Sequence, residues 1–153
     1  MNVAIVISVD GNCDKSIPTL AFASNDANGL SSALQAVGFE ASNQVLLVDA
    51  LATKSTIESK IRTTLRTVTD QDTVLLFYAG HGFSVDGLNY LTCFDTQVED
   101  LTATSVSLDA LVQHFQASSS AKAAFMLDID QTSLPKVEQT DDATCDLNHQ
   151  AIR

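Results

Sequence analysis

The stretch TVLLFYAGHG, residues 73–82, decides the fold that this sequence predicts. It starts with an unbroken apolar run, TVLLFYA, which is typical of a strand that is buried on both faces of a parallel sheet. Three other runs share this character: VAIVISV (3–9), QVLLVD (44–49) and AAFMLDI (123–129). The sequence therefore predicts a parallel sheet that is covered by helices on both faces.

Helical patterns fill the segments between these runs. Three segments place apolar side chains at three- and four-residue spacing: residues 25–37, 53–68 and 107–117. Asn25 or Asp26 is expected to cap the first helix, and Gly38 is expected to end it. Thr53 or Ser55 is expected to cap the second.

The order of elements, β-α-β-α-β-loop-α-β, predicts an α/β protein. We expect a three-layer α/β/α sandwich with a mostly parallel central sheet of about four to five strands. The segment GLNYLTCFD (87–95) is expected to add a small strand or hairpin. Residues 1–137 are interpreted as one domain, and the polar, aperiodic residues 138–153 as an irregular or disordered tail.

Charge and cysteine content limit the function classes. The chain of 153 residues has 8 basic and 19 acidic side chains, a net charge of −11, which disfavours binding to nucleic acid or to anionic lipid. The acidity serves either solubility or attraction of a basic partner. Cys13, Cys93 and Cys145 are odd in number and have no metal-ligand spacing. Together with an N-terminus that lacks a signal-like segment, they lead us to expect a cytoplasmic protein.

Polar residues follow the apolar runs where a parallel sheet forms its ligand-binding rim. His81 lies between Gly80 and Gly82, and Asp128 and Asp130 end the last run. Adjacent strands would bring His81 and Asp130 within reach of each other. The two glycines are expected to allow backbone conformations that other residues resist and to leave room for a substrate beside the imidazole. The histidine is either catalytic, or descended from a catalytic one, or a structural core residue.

These motifs, in this order, resemble the caspase-like cysteine peptidases, specifically the metacaspase and bacterial caspase-homologue branch. The matching segments are VAIVISVDG, SNDANGLSSALQAVGF, LLVDALATKSTIESKI, DQDTVLLFYAGHG, NYLTCFDT, SVSLDALVQHF and AAFMLDIDQTS. The resemblance implies a caspase-like fold in which His81 occupies the general-base position. It also implies a nucleophilic cysteine in a D-x-C strand end about 50 residues later. Aligning LDID with that pattern puts Asp130, 49 residues after His81, where the resemblance implies the cysteine.

The aspartate changes the chemistry that the resemblance implies. A carboxylate is a far poorer nucleophile towards amides than a thiolate, and beside His81 it would favour an ion pair with a protonated imidazole. We therefore predict a catalytically inactive domain, a pseudo-peptidase. Two alternatives stay open: an active peptidase that cleaves after Arg or Lys, with Cys13 as a relocated nucleophile or through an acid mechanism of Asp130 and His81, or a substitution introduced at Asp130.

The resemblance further implies a substrate pocket for a basic side chain. Asp26 and Asp128 match the acidic residues of that pocket, and Gly82 is included with them as substrate-binding. The alternative roles are a helix cap for Asp26 and a strand-end backbone contact for Asp128. No cofactor or metal is expected. A calcium site at the sparse acidic residues Asp95, Glu99 and Asp100 is only a weak implication of the family.

The resemblance covers only the large-subunit half of the family's catalytic domain. Strands that follow the cysteine in complete family members have no counterpart here after residue 137. An open sheet edge invites pairing with another chain. The expected partners are therefore a protein or peptide, an active caspase homologue, a small-subunit-like chain or a second copy.

Overall fold

The computed structural model describes residues 1–118 and 122–131. In chain order the elements are β1 (Asn2–Ser8), α1 (Ala23–Ala36), β2 (Gln44–Val48), α2 (Lys54–Thr67), β3 (Thr73–Val85), β4 (Leu88–Leu91), α3 (Leu101–Thr104), β5 (Val106–Ser107), α4 (Leu108–Gln116) and β6 (Lys122–Asp130). Short 3-10 turns at Ala41–Asn43, Asp49–Leu51 and Val98–Asp100 connect some of them. The cysteine at position 145 and the predicted tail 138–153 lie outside the described residues.

A parallel sheet forms the centre of the fold, with its strands in the order β2-β1-β3-β6. β4 pairs antiparallel with the second half of β3, and β5 pairs antiparallel with β4. This mixed, largely parallel sheet with flanking helices confirms the α/β prediction.

β3 is longer than the sequence predicted, and this changes the position of the histidine. The strand continues beyond the apolar run to Val85, so His81 lies inside it rather than at its tip. A tight turn then joins β3 to β4, with Asp86 at φ 52° and Gly87 at φ 76°. Two successive residues with positive φ, Asp-Gly in particular, are the signature of a two-residue hairpin.

The helices cover the sheet on two sides, as their apolar spacing predicted. α2 and α4 bury Ile57, Ile61, Leu111 and Phe115 in the larger core cluster. α1 packs on the opposite face with a smaller cluster that includes Phe77 of β3. No helix in the described ranges is long and apolar enough to cross a membrane.

The start of α1 differs from the prediction. The helix begins at Ala23, and neither Asn25 nor Asp26 caps it. The carboxylate of Asp10 instead accepts the backbone N–H groups of Ala23, at 2.8 Å, and Ser24, at 3.1 Å. Thr53, by contrast, caps α2 as predicted, because its side chain accepts the backbone N–H of Thr56.

β6 is not buried on both faces, contrary to the prediction from its apolar run. Phe125, Leu127 and Ile129 are half-buried against the α2–α4 cluster. On the α1 side of the sheet the strand is open, and Met126 is 46% exposed. β6 pairs only with β3 among the described strands, so it is an edge strand with one uncovered face.

Candidate active site

β3 and β6 place His81 and Asp130 side by side, because their Cα atoms are register partners in the parallel ladder. Side chains alternate along a strand, and partner positions share a face, which here is the α1 side. Nδ1 of His81 lies 3.4 Å from the main-chain oxygen of Asp130, which is long for a hydrogen bond. The expected adjacency is confirmed. An ion pair with the Asp130 carboxylate stays a prediction.

The imidazole of His81 is fully buried, with an exposed fraction of 0%. Its Nε2 lies 2.7 Å from the main-chain oxygen of Pro18. Since a carbonyl oxygen only accepts, we assign the proton of a neutral imidazole to Nε2. Nδ1 then presents its lone pair to the strand end at Asp130, where it can accept a proton from a thiol or hydroxyl at that position.

The loop 10–22 brings Pro18 to the imidazole, and it is held at both ends. At its start, the carboxylate of Asp49 accepts the backbone N–H of Asp10 at 2.8 Å, with Asp49 itself in a left-handed conformation at φ 46°. At its end, the Asp10 carboxylate caps α1, and the hydroxyl of Ser24 donates to Asp49 at 3.3 Å. Sequence reasoning missed this network, and a strand-end Asp before a helix was the signal available for it.

Tyr78 supports the main chain at His81 from the opposite face. Its buried hydroxyl lies 2.9 Å from the main-chain oxygen of His81 and 2.8 Å from that of Thr92. The backbone N–H of Thr92 also donates to the oxygen of His81 at 3.0 Å. Burial raises the pKa of Tyr78 far above its ordinary value, so the phenol remains a protonated donor.

The two glycines that flank His81 serve this packing. Neither has a positive φ, so the prediction of an unusual backbone conformation is wrong. A Cβ at Gly80 would lie against the Tyr78 hydroxyl and 2.8 Å from its Cζ, and a Cβ at Gly82 would lie 2.7 Å from Cγ2 of Ile129. The space that these glycines leave is occupied by the protein's own side chains rather than open to a substrate.

The two carboxylates of the predicted basic-residue pocket lie on the same side of the sheet. Asp128 is the register partner of Ala79, which packs in the α1 cluster, and its side chain is exposed. Asp26 lies in the first turn of α1 and is exposed too. With the capping role excluded for Asp26, both side chains face solvent, and their joint action on a ligand stays a prediction.

Two of the three cysteines, Cys13 and Cys93, lie within the described residues. Cys13 is exposed, and its backbone N–H donates to the main-chain oxygen of Phe94, beyond β4, at 2.8 Å. It is Pro18, five residues further along the loop, that contacts the imidazole. Cys93 follows β4 and is buried, and burial, with the nearby charge of Asp95, raises the pKa of its thiol to about 12.

The acidic residues considered for calcium do not form a site in the part of the chain that the structure describes. Asp95 accepts the backbone N–H of Lys54 at 2.8 Å, at the start of α2. Glu99 and Asp100 lie in the 3-10 turn that precedes α3. Across residues 1–118 and 122–131, no group of three or more His, Cys, Asp or Glu side chains is placed to hold a metal ion.

Comparison with solved structures defines the class of the fold. Protein GSU0716 from Geobacter sulfurreducens is similar over 82% of this chain, with a TM-score of 0.63 at 19% sequence identity. The structure of pro-sf-caspase-1 is similar over 95% of the chain, with a TM-score of 0.62 at 17% identity. Identities this low show the fold alone, which is the caspase-like α/β fold.

Sequence comparison then gives the family. The model described as Caspase domain matches residues 1–144, so the chain belongs to the caspase domain family. No curated protein sequence matches the chain. The chain spans 48% of the Geobacter protein's length and 52% of the length of pro-sf-caspase-1, that is, about half of each.

Proposed function

We propose that this caspase-like domain acts by binding a protein or peptide and does not cleave it. The observation that carries the proposal is the residue beside the histidine: Asp130 is the register partner of His81 at the end of β6. By resemblance to the metacaspase branch, this is the place of the nucleophilic cysteine. The domain is therefore a pseudo-peptidase whose fold persists without its nucleophile.

The chemistry of a carboxylate supports the loss of activity. An aspartate that attacked a peptide carbonyl would have to form a mixed anhydride, which is far less accessible than the thioester formed by a cysteine. The lone pair of His81 Nδ1 also has no thiol or hydroxyl to deprotonate at Asp130. The buried ring, bound to Pro18, is confined to the strand end.

A basic side chain is the peptide feature that suits the open face of the domain. Asp26 and Asp128 expose carboxylates on the α1 side, and a guanidinium pairs well with two such groups. Phe22 and Met126, 69% and 46% exposed, add apolar surface on this side for neighbouring residues of a peptide. Fluorescence anisotropy of a labelled Arg-containing peptide tests this pairing. Asp26→Asn and Asp128→Asn should each weaken binding, whereas Asp86→Asn, in the β3–β4 turn, should not.

The open edge of β6 is the surface for a protein partner. β6 pairs only with β3 among the described strands, and the match covers only 48% and 52% of the lengths of the two solved structures compared above. A caspase-like partner chain, whether an active homologue, a small-subunit-like chain or a second copy, would extend the sheet there. Analytical ultracentrifugation of the chain with and without Met126→Asp separates self-association through this edge from a monomeric state.

Peptidase assays decide between the binding role and an active enzyme. Fluorogenic peptides that end in Arg or Lys should show no turnover, with or without Ca²⁺. The proposal would be refuted if the wild-type protein showed turnover and His81→Ala, with its fold verified by circular dichroism, did not. That result would favour the relocated nucleophile or the acid mechanism instead.

Restoring the thiol tests the geometry behind the proposal. In Asp130→Cys, iodoacetamide should label the new cysteine faster than it labels the exposed Cys13, because a neighbouring imidazole stabilises the thiolate. Adding His81→Ala should remove the difference. Equal labelling rates with and without the histidine would contradict the assigned orientation of Nδ1.

A further inference from the structure

A cavity of about 210 Å³ lies between α2 and α4, on the face of the sheet opposite the candidate active site. Its apolar part includes Ile61 of α2 and Leu111 of α4, both buried in the core. Its polar part includes Lys54, Arg62 and Ser107. The volume is below the range of about 300–1,000 Å³ of pockets for drug-sized ligands, so it suits a smaller molecule.

The charge of this cavity is opposite to that of the protein as a whole. The chain has a net charge of −11 and only 8 Lys and Arg residues. Four of these residues are on α2, at positions 54, 60, 62 and 66, and Glu58 is the helix's one acidic residue. Lys54, Glu58 and Arg62 all line the cavity, so two cations face one carboxylate there.

The two cations are available to a ligand. Within residues 1–118 and 122–131, neither Lys54 nor Arg62 lies within 4.0 Å of a carboxylate. The ammonium of Lys54 donates to the main-chain oxygen of Ala103 at 2.6 Å, which fixes its position and leaves two N–H donors. Arg62 is exposed, and no hydrogen bond to another described residue occupies its guanidinium donors.

Ser107 adds a donor of another kind at the start of α4. Its hydroxyl oxygen accepts the backbone N–H of Ala110 at 3.2 Å, so its own O–H is directed away from that bond and can donate to a ligand. The N-terminal turn of α4 also carries the positive end of the helix dipole. The cavity therefore combines ammonium, guanidinium and hydroxyl donors, which can bind an anionic group, with an apolar surface that can contact a short carbon skeleton.

We propose that the α2–α4 cavity binds a small organic anion. Its phosphate or carboxylate is bound by Lys54 and Arg62, and its carbon skeleton lies against Ile61 and Leu111. This site is separate from the His81–Asp130 site and does not depend on whether the domain cleaves peptides.

Titration with 3-phosphoglycerate, which joins a phosphate and a carboxylate on three carbons, tests the site by ¹H–¹⁵N NMR. The expected result is saturable shifts of the amides of Ser107 and Ala110 and of those of α2. Glycerol, the uncharged skeleton, should cause none. Non-saturable shifts, or shifts confined to other parts of the chain, would overturn the proposal.

Charge variants on one helix separate a site from diffuse attraction. Arg62→Ala and Lys54→Met should each weaken binding about tenfold, the equivalent of one charge-assisted hydrogen bond. Lys60→Ala removes the same charge from α2 outside the cavity and should leave the affinity unchanged. Glu58→Gln should strengthen binding, an effect that damage to the fold cannot imitate. Equal losses in Lys60→Ala and Arg62→Ala would refute the site.

Discussion

Substituting Gly80 by alanine tests whether the glycine serves the fold or a substrate. The added Cβ would meet the Tyr78 hydroxyl and lie 2.8 Å from Cζ, so the phenol must move. Overpacking of this kind costs about 1–3 kcal/mol. The displaced hydroxyl would also lose its hydrogen bonds to the main-chain oxygens of His81 and Thr92, which adds about 1 kcal/mol. We expect the free energy of unfolding to fall by about 2–4 kcal/mol.

A double-mutant cycle with Tyr78→Phe isolates the cause. Tyr78→Phe alone should cost about 1 kcal/mol, because it removes the hydroxyl but keeps the ring. In this background Gly80→Ala meets no hydroxyl, although the contact with Cζ remains, so its cost should decrease by about 1 kcal/mol. Urea denaturation followed by circular dichroism measures all four proteins of the cycle.

Gly29→Ala is the matched control for this prediction. Gly29 lies inside α1, and nothing lies within 4 Å of the position of its Cβ. The same substitution should therefore raise the free energy of unfolding there by about 0.5–1 kcal/mol, because alanine favours the helix. If Gly80→Ala changes stability by less than about 0.5 kcal/mol, or if its cost and that of Tyr78→Phe simply add, the packing role is refuted.

Three further substitutions or reactions test other contacts. Asp10→Ala should lower the free energy of unfolding by about 1–2 kcal/mol, because it removes the α1 cap. Asn25→Ala should change it by less than about 0.5 kcal/mol. Urea denaturation of the two variants measures the difference. The N-terminal ammonium group lowers the pKa of Asp72 from 3.8 to about 2, together with the backbone N–H and hydroxyl donors of Thr69. The stabilisation that the Asp72 carboxylate contributes is therefore complete above pH 3.8 and is lost as the pH falls through about 2. The destabilisation that Asp72→Asn causes at neutral pH should vanish over that pH window. Iodoacetamide at neutral pH should modify the exposed Cys13 but not the buried Cys93, because the pKa of the Cys93 thiol is raised to about 12. Mass spectrometry of the peptides that contain the two cysteines measures this. Modification of Cys93 in the folded protein would contradict the prediction.

The architecture was predictable because local patterns and the sheet's topology agree. Apolar runs of strand length and helical stripes of period 3.6 each depend on residues near in sequence, and β1, α2 and α4 follow them closely. The extension of β3 to Val85 was missed although Asp86-Gly87 is a strong hairpin signal. The open face of β6 could not be deduced from its composition, because burial depends on which helices cover the strand.

The site was predictable in its pairing but not in its surroundings. Register brings His81 to Asp130 because both follow long runs in adjacent parallel strands. The contact of His81 with Pro18 depends on a loop whose ends are bound by Asp10 and Asp49, residues 39 positions apart in sequence. Such tertiary contacts leave no periodic signal, and the place of Asp10 at a strand end before a helix was the only hint of its capping role.

These surroundings hold the His81 ring in place whichever side chain stands at position 130. Nε2 of His81 donates to the main-chain oxygen of Pro18, and this contact does not depend on which side chain stands at position 130. The main-chain oxygen of His81 is likewise held by Tyr78 and Thr92, within the core. The imidazole therefore binds loop 10–22 to β3, whatever part it takes in chemistry. The chemistry of the site has therefore to be judged from the residue at the end of β6 and not from the AGHG motif alone.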